Sequence, residues 1–131
     1  RVPLRRSAQR SGLTQALGIF WKFKVSQEEL KAQVAREALE ICNRRIATGN
    51  SPAPEAMMES IRAQLTWLIE FFEGRSTERN KLHTLTFGHY AAREIEDSDT
   101  EFTAALHKAY YVASRTASGL KVDPAVIGAD A

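Results

Sequence analysis

The stretch SDTEFTAALHKAYYVASRTASG, residues 98–119, decides the fold class of this 131-residue chain. It opens with a capping-box pattern in which Ser98 and Glu101 satisfy each other's backbone donors. It ends at Gly119, and glycine commonly terminates helices. At 100° per residue, one side of this helix collects the apolar and small residues Phe102, Leu106, Ala109, Ala113, Thr116 and Ala117. The stretch therefore predicts an amphipathic helix with one buried stripe.

Three further helices are predicted upstream of this stretch. The first has its own capping box, Ser26 with Glu29, and Gly49 and Gly74 end the first two. Their predicted ranges are about 26–48, about 54–73 and about 76–96. No strand pattern and no internal repeat is present. We therefore predict an all-α fold, a small antiparallel bundle of four main helices with an additional N-terminal segment.

Two residues of these helices carry specific structural predictions. Cys42 lies in the apolar arc of the first helix, which predicts a small buried thiol. Gly88 lies mid-way along the predicted third helix, where glycine costs up to ~1 kcal/mol relative to alanine. A close approach of two helices is the expected reason for that glycine.

Charge divides the chain into two parts. Residues 1–25 carry six Lys and Arg and no acid, whereas residues 26–131 carry 12 Lys and Arg against 16 Asp and Glu. We predict a basic N-terminal segment, 1–25, and a single acidic helical-bundle domain, 26–131. The segment is interpreted as accessory or unordered, with organellar targeting and partner binding as alternatives. An acidic folded domain argues against nucleic-acid binding, and no apolar run approaches the ~20 residues of a membrane span.

Residues that would carry chemistry are scarce in this sequence. His83, His89 and His107 lack the spacing that zinc sites use. No phosphate-binding glycine loop, HExxH motif or nucleophile elbow is present. We therefore predict no catalytic residue, no metal and no cofactor, and the protein is not expected to be an enzyme.

Two surfaces are candidates for contact with a partner protein. The turn before the last helix is acidic; its carboxylates are Glu94, Glu96, Asp97, Asp99 and Glu101. This pattern predicts either a solvated charged turn or a partner-binding patch. Tyr111 lies at 180° from the buried stripe of the last helix, beside Lys108 and Arg115. Tyrosine and arginine are frequent interface anchors, although Tyr111 could also be covered by the N-terminal segment or simply exposed. Trp67, on the wide apolar arc of the second helix, completes the candidate set.

The C-terminal part of the chain resembles a known family. The run LHTLTFGHYAAREIEDSDTEFTAALHKAYYVASRTASGLKVDP, residues 82–124, is similar to the C-terminal part of a bacterial immunity-protein family. The most specific feature is the ordered string AYYV-x-x-RT-x-x-GLKVD, from Ala109 to Asp123. The resemblance covers about a third of the chain, and residues 1–25 have no counterpart in it.

The resemblance implies a function that the residues by themselves do not. Proteins of that family protect bacteria against a type VI secretion effector whose toxin domain is an NAD(P)+ glycohydrolase. It implies a small cytoplasmic helical inhibitor that binds the toxin domain and blocks its active site. A homodimer is possible but not indicated. The alternatives are a non-catalytic helical adaptor, which would bind some other protein, and a small enzyme, which would need an enclosed pocket.

Overall fold

The computed structural model describes residues 26–128, which contain four α-helices and no strand. The all-α bundle predicted from the sequence is confirmed. The helices are, in chain order, α1 (Gln27–Thr48), α2 (Glu55–Phe72), α3 (Phe87–Tyr90) and α4 (Thr100–Ala117). α1 packs against α2 and α4, and α3 packs against the same two helices. The predicted N-terminal segment, 1–25, lies outside the described residues.

The predicted ends of α1 and α2 are confirmed. The Ser26 hydroxyl accepts a hydrogen bond from the Glu29 amide at 3.1 Å, and the Glu29 carboxylate accepts one from the Ser26 amide at 3.3 Å. These two bonds satisfy backbone donors that α1 would otherwise leave unpaired. Gly49, which ends α1, has a φ of 72°, a left-handed conformation that glycine adopts without steric cost.

The predicted capping box of α4 is wrong by one residue. Asp99, not Ser98, caps the helix, and its carboxylate accepts a hydrogen bond from the Phe102 amide at 3.1 Å. The Ser98 hydroxyl instead donates to the carbonyl of Ile95 at 3.2 Å. That bond holds the serine against the preceding turn, so the next residue takes the capping position.

The predicted third helix, about 76–96, is not one helix. Residues Arg79–Thr84 form a 3₁₀-helix, and the backbone is extended at Leu85 before α3 begins. The break is held by a side chain of α2: the Gln64 carbonyl oxygen accepts hydrogen bonds from the amides of Thr86 and Phe87, at 2.8 and 3.1 Å. Gln64 also donates to the Thr86 hydroxyl at 2.9 Å. α3 therefore obtains its N-terminal cap from another helix.

α3 continues directly into a π-helical turn, Ala91–Ile95. The Glu96 amide bonds to the carbonyl of Ala91, five residues earlier, at 2.9 Å. Phe87, Ala91 and Ile95, spaced four residues apart, are all buried and so share one face of this segment. Ala92, the residue after Ala91, is exposed.

The close approach predicted at Gly88 is confirmed, and its partner is Tyr110 of α4. A Cβ on Gly88 would lie 2.4 Å from Cγ of the Tyr110 ring. The same ring packs edge-on against Phe87, with 5.4 Å between ring centroids. Glycine at position 88 thus allows α3 to approach α4 closely.

The core runs along the contacts of α1, α2 and α4, and Cys42 lies within it. Its side chain is fully buried, as the sequence predicts, and burial raises the pKa of the thiol to about 11. The segment after α4 forms no helix, yet it contributes Val122 and Ile127 to the core, with 2% and 5% of their surface exposed.

Candidate protein-binding surface

The acidic turn at the end of α3 places its carboxylates in two different environments. Glu94, Glu96 and Asp97 are exposed and form no ion pair with another residue of 26–128. Ile95, next to these residues in the sequence, is fully buried in the core and so anchors the turn. Among the described residues, nothing pairs with these three side chains, which leaves them open to a partner.

Asp99 and Glu101 are instead tied to α1 by Arg45. The guanidinium of Arg45 binds both carboxylate oxygens of Asp99, at 2.6 and 3.2 Å, and one oxygen of Glu101 at 2.7 Å. Arg45 lowers the pKa of Asp99, whose side chain is only 11% exposed. The two carboxylates in turn raise the pKa of Arg45. The predicted five-residue patch therefore splits, because these two acids stabilise the contact between α1 and α4.

The candidate face around Tyr111 is partly covered by the chain itself. The Tyr111 hydroxyl accepts a hydrogen bond from the Asp123 amide at 3.2 Å, and Arg115 donates to the Lys121 carbonyl at 2.8 Å. Tyr111 is half-buried and packs against the core. Although Tyr111 lies opposite the buried stripe of α4, the C-terminal segment covers it. Lys108 alone of the three is exposed.

The structure removes Trp67 from the candidate surface. Its side chain is 7% exposed and stacks on Phe71 at 5.3 Å between centroids. The indole nitrogen donates to the Ser76 hydroxyl at 3.2 Å, and the Lys81 ammonium lies 5.2 Å from the ring centroid. Both the ring and its single donor are thus satisfied within the fold.

One groove, of about 250 Å³, lies between α1 and α4. It brings together two residues of the predicted set, Glu101 and Lys108, with Glu37 of α1 beside them. The C-terminal segment reaches the same region, since a Cβ on Gly128 would lie 4.0 Å from the Lys108 ammonium nitrogen. Opposite charges line this groove, so its net charge is small.

A second groove, of about 400 Å³, lies between the start of α2 and α3 with its π-turn. Its lining includes Met57, His89, Tyr90, Arg93 and Glu94. Met57 and Tyr90 are half-buried and pack on the core, whereas the other three are exposed. Of these residues the sequence pointed only to Glu94, because the others meet only when α3 packs beside α2. Hereafter this feature is called the α2–α3 groove.

Residues 26–128 provide neither a metal site nor a membrane span. No group of three or more His, Cys, Asp or Glu in this part of the chain is placed to hold a metal ion. None of its helices is both long and apolar enough to cross a bilayer. What the described residues do present is a set of open, charged grooves beside an acidic turn.

Fold and surface together define a small all-helical domain suited to binding another protein. Residues 31–115 match the model of the Tsi6 family, and the chain belongs to that family. It is similar to the immune protein Tsi6 of Pseudomonas aeruginosa PAO1, with 42% identity over 72 residues, which are 55% of this chain and 76% of that protein.

A solved structure gives the same relationship in three dimensions. The fold is similar to a chain in the structure of Tse6 in complex with Tsi6, with a TM-score of 0.64 and 36% sequence identity. The match covers 71% of this chain and 96% of that one. The resemblance found in the C-terminal sequence therefore extends to the helical bundle.

Proposed function

We propose that this protein is an immunity protein that binds the toxin domain of a cognate type VI secretion effector and covers its active site. The observation that carries the proposal is the similarity to a chain of the Tse6–Tsi6 complex, which spans nearly all of that chain. The relative at 42% identity is itself named an immune protein. Inhibition of this kind requires binding and no chemistry by the inhibitor.

The resemblance in residues 82–124 indicates what the toxin does. The immunity-protein family that this run resembles neutralises NAD(P)+ glycohydrolases, so the proposed partner is an NAD(P)+-degrading toxin domain. The proposed site of action is the cytoplasm, where the immunity protein would protect the cell's own dinucleotide pool. No cofactor is needed for this role.

Electrostatics supports a partner with a basic surface. Enzymes that bind anionic dinucleotides tend to have basic clefts, and complementary fields raise association rates. The exposed acids of the turn, Glu94, Glu96 and Asp97, would face such a surface. Asp99 contributes less to this role because its side chain is 11% exposed and paired with Arg45, whereas Glu101 binds the same guanidinium and remains 61% exposed.

Co-expression tests the function directly. The cognate toxin domain, which the proposal predicts to be encoded beside this gene, is expressed in a heterologous bacterium with and without the protein, and growth and cellular NAD(P)+ are measured. An inactive toxin variant serves as the control for expression load. Restored growth and NAD(P)+ support the proposal. Binding without protection would favour the adaptor alternative, and loss of NAD(P)+ despite expression of both proteins would overturn the immunity function.

Charge reversal tests the acidic turn separately. Glu96→Lys with Asp97→Lys should lower the association rate constant with the toxin about tenfold at low salt, and less at high salt, because steering is screened. Glu40→Lys with Glu78→Lys is the matched control, since it changes the net charge equally on other exposed positions. Equal rates for the two double variants would remove the acidic turn from the binding surface.

A further inference from the structure

The α2–α3 groove combines chemistry that the proposed function does not by itself explain. Its lining includes a thioether (Met57), a phenol ring (Tyr90), an imidazole (His89) and a guanidinium (Arg93). Methionine sulfur, aromatic rings and guanidinium groups each interact favourably with an aromatic ring. Methionine, tyrosine and arginine are also enriched at protein interfaces. The groove is therefore complementary to an aromatic side chain.

The half-buried residues give this groove a fixed floor. Met57 and Tyr90 pack on the core, so their remaining exposed surface is held in place by the bundle. His89 contacts the Tyr110 ring edge-on, with 5.7 Å between centroids, and Tyr110 in turn packs on Phe87. A preformed pocket loses little conformational freedom when an anchor enters it.

The π-turn positions the charged wall of the groove. π-turns are uncommon and often occur at functional sites. Here the turn keeps Ala91 and Ile95 in the core while Arg93 and Glu94 remain exposed. Glu94 lines the groove and is also the first residue of the exposed acidic turn. The groove and the turn therefore form one continuous surface, an apolar anchor site with an acidic rim.

Resting on the function proposed above, we propose that the α2–α3 groove receives an aromatic side chain of the toxin domain that is flanked by lysine or arginine. The ring enters between Met57 and Tyr90 and is covered by the guanidinium of Arg93. The flanking cations pair with Glu94, Glu96 and Asp97. This arrangement, a central anchor with a charged rim, is that of a typical protein interface.

Binding measurements on the full chain and the toxin domain test the anchor. Arg93→Ala should raise the Kd about tenfold or more, as expected for removal of an interface anchor. The matched control is Arg44→Ala, an exposed arginine on α1 that makes no ion pair within residues 26–128. Both side chains are exposed, and thermal unfolding confirms that the variants fold. Equal Kd values for Arg93→Ala and the wild type would overturn the proposal.

Photocrosslinking tests the chemistry of the occupant. A benzophenone amino acid is placed at His89 or, as a control, at Arg44, and the toxin peptide captured is identified by mass spectrometry. Capture at position 89 of a peptide containing Phe, Tyr or Trp next to Lys or Arg supports the proposal. Capture only at position 44, or of a peptide with no aromatic residue, overturns it. These failures can occur while the wild type still neutralises the toxin, so they are distinguishable from failure of the proposed function.

Discussion

The outer face of α4 and the α2–α3 groove differ in what covers them. The face around Tyr111 and Arg115 is occupied by the chain's own C-terminal segment, which bonds to both residues. The α2–α3 groove is open within residues 26–128, and its exposed wall includes His89 and Arg93. A helical wheel gives the direction in which a side chain points, but it does not show which non-helical segment lies there. The same segment also contributes to the core.

The largest effect is expected from substitutions that weaken the packing of the C-terminal segment. Val122→Ala with Ile127→Ala should lower the free energy of unfolding by about 3–5 kcal/mol, because both side chains are buried. Leu120→Ala with Val126→Ala is the control, since these residues of the same segment are 49% and 53% exposed. Urea denaturation measures both. Similar losses in the two double variants would show that the segment does not stabilise the bundle.

The next substitution enlarges a side chain at the close contact between α3 and α4. Gly88→Ala should lower the free energy of unfolding by about 1–3 kcal/mol, because the added methyl would overlap the Tyr110 ring. Because α3 forms one wall of the α2–α3 groove, its displacement should also weaken toxin binding. In a Tyr110→Ala background the same change should be nearly neutral. An equal loss in both backgrounds would contradict the assigned contact.

Removing the link between the acidic turn and α1 has a comparable effect that depends on pH. Arg45→Met should lower the free energy of unfolding by about 1–3 kcal/mol at pH 7, because Asp99 loses its charged partner in a largely buried position. Arg44→Met, at the exposed neighbouring residue, is the control. Denaturant midpoints measured from pH 7 to pH 3 report both variants.

The sign of the pH dependence follows from the lowered pKa of Asp99. Its pairing stabilises the fold fully at pH values above the ordinary aspartate pKa of about 3.9. This contribution is lost as the pH falls through the lower pKa that Asp99 has in the folded protein. The difference between wild type and Arg45→Met should therefore shrink as the solution is acidified below pH 4. A constant difference would mean that Arg45 acts through packing alone.

The smallest expected effect belongs to the hydroxyl of Tyr111. Tyr111→Phe removes the hydrogen bond from the Asp123 amide and should cost about 0.5–1.5 kcal/mol. Tyr110→Phe is the control, because its hydroxyl makes no hydrogen bond within residues 26–128. Chemical denaturation of the two variants side by side gives the comparison. Equal stabilities would indicate that packing, not the hydroxyl, holds the segment on α4.

Features set by residues close in the sequence were predictable. The Ser26–Glu29 box and the glycine ends of α1 and α2 depend on chemistry within a few residues. Gly88 was predictable for a different reason, since a glycine inside a helix is costly unless something approaches closely. The buried Cys42 followed from its place in the apolar arc. These features fixed the fold class.

Features set by distant residues were not predictable from one sequence. Gln64 breaks the third helix from 22 residues away, Arg45 reaches Asp99 from 54 residues away, and Asp123 covers Tyr111 from outside α4. Each contact requires the packed bundle before it exists. For this reason the predicted surface differs from the structure more than the predicted fold does. Arg45 pairs with Asp99 and Glu101 of the acidic turn, and the α2–α3 groove exists only where α3 lies beside α2.

Because Gln64 of α2 supplies the N-terminal cap of α3, the formation of α3 depends on α2. A helix this short is not stable in isolation, and its first amides are satisfied by Gln64 only after α2 has formed. We therefore expect α3 to assemble after α2, on the native side of the rate-limiting step. Substitutions in α3 would then accelerate unfolding while leaving the refolding rate nearly unchanged.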